Sequence, residues 1–121
     1  MRILVVDDDP LAGELIAAVL EEGGCEATVV EGAAAALDVL GADPDFDAIV
    51  SDMNMPGLNG LAFFSALRAQ GNTVPFVLLS GDDPQALAQR EPGLDACLAK
   101  DAELETTLMM TLADVLLPPA D

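Results

Sequence analysis

The chain has 121 residues, 52% of them apolar, enough for one domain with one substantial core. Twenty-two acids against four basic residues give a formal net charge of −18, which excludes unaided binding to nucleic acid or to an anionic membrane and favours cations and basic partner surfaces. No apolar run approaches membrane-spanning length, residues 3–6 are too few for a signal-peptide core, and Cys25 and Cys97 fit no metal spacing, so the sequence predicts a soluble cytoplasmic protein with reduced thiols.

Residues 3–6 form a continuous aliphatic run, the pattern of a strand buried on both faces, and Asp7, Asp8 and Asp9 end it. Leu11, Leu15, Ile16 and Val19 follow at helical spacing. A second strand is predicted over 27–30 and an Ala-rich helix over 33–40. Residues 48–50 make a third strand that runs into Ser51 and Asp52, followed by a helix carrying Leu61, Phe64 and Leu67. A fourth strand over 76–79 leads to Ser80, and a short helix after Pro84 fades before Pro92. The fifth strand, 96–98, precedes Lys100, and Leu104, Leu108, Leu112 and Val115 mark the last helix. Fivefold alternation of strand and helix predicts a single α/β domain with a doubly wound parallel sheet, (βα)5, covered by helices on both faces. The tail at 118–121 either ends the domain or begins a linker.

In such a sheet the carboxyl ends of the strands share one edge, so Asp7, Asp8, Asp52, Ser80 and Lys100 converge although they are far apart in sequence. Most of the acids, among them Glu21, Glu22, Glu26, Asp43, Asp45 and Glu103, need no role beyond solubility. An acidic triplet is by itself commonly a solvated turn; a further aspartate at the end of another central strand changes that reading. Crowded carboxylates raise one another's pKa unless a cation compensates. Lys100 is one such cation, and an all-oxygen donor set suits Mg²⁺ or Mn²⁺ as a second. A divalent ion that links carboxylate to phosphate points to phosphoryl chemistry.

Four segments carry a family resemblance: Ile3-Leu4-Val5-Val6-Asp7-Asp8-Asp9, Ser51-Asp52-Met53-Asn54-Met55-Pro56-Gly57-Leu58-Asn59-Gly60, Val77-Leu78-Leu79-Ser80-Gly81 and Leu98-Ala99-Lys100. In their order and spacing the chain, from Met1 to about Leu117, resembles the receiver domains of two-component response regulators, including the single-domain regulators of chemotaxis. The resemblance implies the flavodoxin-like strand order 2-1-3-4-5. It also implies that Asp52 accepts a phosphoryl group from a phosphohistidine on a sensor histidine kinase or histidine phosphotransfer protein. Asp8, Asp52 and the backbone carbonyl of Asn54 would then ligate Mg²⁺, with Asp7 holding a metal-bound water. Lys100 and Ser80 would bond the phosphoryl oxygens. Such a protein is no enzyme beyond catalysing its own phosphorylation and dephosphorylation.

The sequence also departs from that family. Cys97 stands where an aromatic switch residue is usual, three positions before the lysine, and Asp101 follows Lys100 where proline, often cis, is usual. A non-proline cis bond costs about 2.5–4 kcal/mol, so a trans bond is expected. Asn54 and Gly81 leave space around the phosphoryl site, implying a short-lived phosphorylated state. On the last helix, Met110 and Leu117 lie opposite the apolar stripe and offer a contact patch for a homodimer or an output partner. Two other readings stay open: a pseudo-receiver that binds partners constitutively, and an aspartate-nucleophile phosphohydrolase.

Overall fold

The computed structural model describes residues 1–43, 45–81 and 84–116; Leu117 and the tail at 118–121 lie outside the described residues. Strands and helices alternate as β1 (Arg2–Val6), α1 (Pro10–Glu22), β2 (Glu26–Val30), α2 (Ala33–Ala42), β3 (Ala48–Asp52), α3 (Gly60–Ala69), β4 (Phe76–Ser80), α4 (Pro84–Arg90), β5 (Ala96–Ala99) and α5 (Leu104–Leu116). The strands pair in parallel in the order β2-β1-β3-β4-β5, as the sequence implied. Strand ends run slightly further than the apolar runs, so that Asp52 and Ser80 are the last residues of their strands.

Because alternate strand residues face opposite sides, each central strand feeds two cores and must be apolar throughout. Leu4, Val6, Ile49, Phe76 and Leu78 meet α2 and α3 through Ala36, Leu40, Phe63, Phe64 and Leu67. Ile3, Val5, Val50, Val77 and Leu79 meet α1 and α5 through Ile16, Leu20, Leu108 and Leu112. All of β3 and β4 is buried, whereas the edge strand β5 is half-buried.

Helix α1 starts where its sequence dictates. Asp9 accepts from the backbone N–H of Leu11 (3.0 Å) and of Ala12 (3.4 Å), and Pro10 occupies the first turn, where it has no N–H to waste. The helical spacing of Leu11 and Leu15 marks a helix but not its buried face: they are 66% and 62% exposed, and the sheet-facing stripe is Gly13, Ile16, Ala17 and Leu20. Small residues face inward because α1 lies close on β2, where a Cβ at position 13 would meet Val29 Cγ1 at 2.8 Å. On α5 the stripe is as expected, with Leu108 and Leu112 buried and Met110 66% exposed.

The amino ends of the strands are closed by charged clasps. Asp47 accepts from the Arg2 backbone N–H (2.7 Å), while the Arg2 guanidinium reaches Asp43 (2.8 Å) and stacks 4.5 Å over the Phe46 ring. Asp95 accepts from the Phe76 N–H (2.7 Å) and pairs with Arg68 (3.4 Å), which covers the Phe64 ring. No described helix is long and apolar enough to cross a membrane.

Candidate functional site

The sheet order reverses between β1 and β3, the position at which an open α/β sheet leaves a crevice at its carboxyl edge. Val6 pairs with Ser51, so the next residues along, Asp7 and Asp52, follow side by side. On the other flank, Ser80 pairs with Ala99, and the Lys100 N–H donates to the Ser80 carbonyl at 2.8 Å, prolonging the ladder until the lysine emerges beside Ser80. The lysine then reaches back over β4, its Nζ 2.6 Å from Asp52 Oδ1 and 3.6 Å from Asp7 Oδ2.

Asp7 and Asp52 are 1% and 6% exposed, whereas Asp8 is exposed at the rim. One carboxylate oxygen from each of the three lies within 4.8 Å of the others. Asp7 Oδ1 accepts from the Asp9 N–H at 3.0 Å, but its buried Oδ2 has no hydrogen-bond partner. Burial pushes the Asp7 carboxyl above the usual carboxylate range; the Asp9 N–H and Lys100 pull it back, and Asp52 and Asp8 push it further up. For Lys100, burial works against the charged form, yet the hydrogen bond to Asp52 and the fields of Asp52 and Asp7 outweigh it, and its pKa is raised. Three carboxylates around one ammonium, with a buried oxygen left over, fit a hard divalent cation bound through oxygen.

Met53 to Asn59 link this edge to α3. The Met53 N–H donates to Leu79 O (2.8 Å), Met55 is buried, Gly57 takes a positive φ of 83°, and Asn59 caps α3 by accepting from the Ala62 N–H (2.9 Å). Ser80 is fully buried, while Asn54 and Gly81 are exposed, and open space surrounds Gly81 where a Cβ would stand. Cys97 is half-buried, paired with Leu78 across the ladder and packed on the core beneath α2, α3 and α4. No cis peptide bond occurs among the described residues, so Asp101 follows Lys100 in trans as expected. Asp7, Asp8, Asp52 and Lys100 thus form one cluster with Ser80 beside it, and Met110 belongs to the exposed face of α5.

Residues 3–112 match the family model for the response regulator receiver domain. The chain belongs to that family. This receiver is 38% identical over 121 residues to the sensory/regulatory protein RpfC of Xanthomonas campestris pv. campestris, and 36% identical over 115 residues to the sensor histidine kinase RcsC of Salmonella typhimurium, alignments covering 95% and 93% of the chain. It spans only 16% and 12% of those relatives' lengths. Among solved structures it resembles the response regulator TrrA from Thermotoga maritima, in complex with Mg²⁺ and BeF (TM-score 0.85, 27% identity, 95% of this chain and 98% of that one). It also resembles the chemotaxis protein CheY4 of Vibrio cholerae (TM-score 0.83, 28% identity, 95% and 98%).

Sequence reasoning missed three features of the receiver. Asp9 does two jobs, capping α1 with its side chain and steadying Asp7 with its N–H; the Asp9-Pro10 pair was the available signal. Leu11 and Leu15 form an exposed apolar pair on the first turns of α1, continuing towards a groove of about 110 Å³ between Leu15, Ile16 and Val19 of α1 and Leu104, Glu105 and Leu108 of α5. That groove includes none of Asp7, Asp8 and Asp52. Gly60 packs directly against the backbone of Asp52 and Met53.

Proposed function

We propose that this receiver takes a phosphoryl group onto Asp52 from a phosphohistidine of a sensor histidine kinase or phosphotransfer protein. The observation that carries the reading is the Lys100 ammonium 2.6 Å from an Asp52 carboxylate that shares its edge with Asp7 and Asp8. A carboxylate oxygen of Asp52 forms the new P–O bond as the P–N bond to the donor imidazole breaks, and the imidazole leaves with the electron pair. Lys100 holds the acceptor in line and then follows the developing charge on the phosphoryl oxygens, which is the help that phosphoryl transfer needs most. The Ser80 hydroxyl accompanies it. Asp8, Asp52 and the Asn54 carbonyl would hold Mg²⁺ or Mn²⁺, and Asp7 would hydrogen-bond water at that site. The ion would supply neutralisation of the negative charge gathered at this edge. The similarity to TrrA, described with Mg²⁺ and BeF, supports that assignment.

The donor docks over the start of α1. Leu11 and Leu15 stand exposed one turn and two turns beyond the acidic edge, and a net charge of −18 selects a donor whose surroundings are basic. Phosphorylation then shifts the packing near Ser80, Cys97 and α5, where Met110 is free to contact an output partner or a second copy. With a thiol in place of a ring at position 97, the pseudo-receiver remains the second reading. The protein acts in the cytoplasm, turns over no substrate of its own, and works as one domain of whatever chain carries it.

Incubation with Mg²⁺ and acetyl phosphate tests both readings. Gain of one phosphoryl mass on the wild type and none on Asp52→Asn is expected, and no gain on either gives the case to the pseudo-receiver.

A further inference from the structure

We infer that Gly60 is a positioning residue for Asp52, setting where its carboxylate stands relative to Asp7 and Asp8. This deepens the proposed function and rests on the role given there to Asp52. Gly60 opens α3, and its N–H donates to Met53 O at 2.8 Å. A Cβ at this position would meet the Asp52 carbonyl oxygen at 2.6 Å, Met53 Cα at 3.0 Å and Leu78 Cδ1 at 2.5 Å. Two of those three neighbours are backbone and cannot swing aside. The glycine is not required for its conformation, because positive φ occurs at Gly24, Gly32, Gly57 and Gly71 and not here. What it supplies is space, which lets the first turn of α3 rest on the peptide that follows Asp52. Any larger residue must lift either the helix or the strand end. The Asp52–Met53 peptide is itself tied to β4 by Met53 N–H to Leu79 O, so any shift of that peptide strains this bond and carries the Asp52 carboxylate with it.

Gly41, on α2, is the natural control, since a Cβ there meets nothing within 4 Å. The experiment compares wild type, Gly60→Ala, Gly41→Ala, Leu78→Val and Leu78→Val/Gly60→Ala for Mn²⁺ affinity by electron paramagnetic resonance, acetyl phosphate acceptance at saturating Mg²⁺, and melting temperature. Positioning predicts Mn²⁺ binding weakened by roughly tenfold or more in both Gly60 variants, as when groups that orient metal ligands are removed. It also predicts slower acceptance that saturating Mg²⁺ does not restore, and wild-type binding in Gly41→Ala. Leu78→Val withdraws the side-chain collision and leaves the two backbone ones, so Gly60→Ala lowers the melting temperature less in the Leu78→Val background than in the wild type while the binding defect persists. Gly60 variants that bind Mn²⁺ within twofold of their parents overturn the inference, as does a defect in the single variant that Leu78→Val fully relieves. Failure of the wild type itself to bind Mn²⁺ sinks the proposed metal site as well.

Discussion

The two edges of the sheet use the same residue types to opposite ends. At the amino edge each cation meets an acid that also accepts a backbone N–H: Arg2 with Asp43, which accepts from Asp45, and Arg68 with Asp95, which accepts from Phe76, each arginine lying over a phenylalanine ring. At the carboxyl edge Asp7, Asp8 and Asp52 share a single lysine, and one buried oxygen of Asp7 is left without a hydrogen bond. The first arrangement is balanced and holds strands in register; the second carries surplus negative charge in a water-poor place. The proposed site is marked by that imbalance, since carboxylates as such are abundant all over this chain.

The contrast between the two edges depends most on Asp52. Asp52→Asn should abolish acceptance from acetyl phosphate by mass spectrometry, and any other residue taking the phosphoryl group would move the site elsewhere. Lys100→Met should slow acceptance by about 10²-fold or more, the scale of losing one charge-stabilising donor. It should also make the melting temperature depend more steeply on Mg²⁺, because the buried acids lose their resident cation. An unchanged rate would return Lys100 to the status of a surface clasp like Arg2.

Asp7→Asn sharpens the contrast through pH. Folding raises the Asp7 carboxyl above its unfolded value, so its contribution to stability is full below the unfolded pKa and lost as pH climbs through the raised folded value. Without cations, the variant should therefore be more stable than wild type at neutral pH, by on the order of 1 kcal/mol. Calorimetry should find the gap closing as pH falls through the Asp7 titration, and closing again when Mg²⁺ is given to the wild type. A variant less stable than wild type throughout would mean that the acid edge is balanced after all.

Two smaller effects bound the comparison. Leu11→Asp should slow transfer from a protein phosphohistidine several-fold while leaving acetyl phosphate untouched. Asp43→Asn, at the exposed amino edge, should lower the melting temperature slightly, less so in high salt, with acceptance unchanged.

The fold was legible because β1, β3 and β4 are buried on both faces and so had to be written as unbroken apolar runs. The cluster was legible for a related reason: a carboxylate that ends such a run has no solvated helix face to which it can be assigned. Contacts made by the smallest side chains were not legible. Apolar periodicity counts Leu11 and Leu15 and cannot see that Gly13 and Ala17 are the residues facing the sheet, nor that Gly60 lies under Asp52. Charge partition was equally hidden, because spacing brings Lys100 to the edge without saying that it stands 1.0 Å nearer to Asp52 (2.6 Å) than to Asp7 (3.6 Å).

Open space beside Gly81 has a consequence in time. Once Asp52 is phosphorylated as proposed, water reaching the acyl phosphate from that flank would end the modified state without the help of a phosphatase, and the domain would carry its own clock. A bulkier residue at 81 should lengthen the interval, measured as the half-life of the acyl phosphate. A cell that uses this protein would then follow the present value of its stimulus and keep little memory of the past.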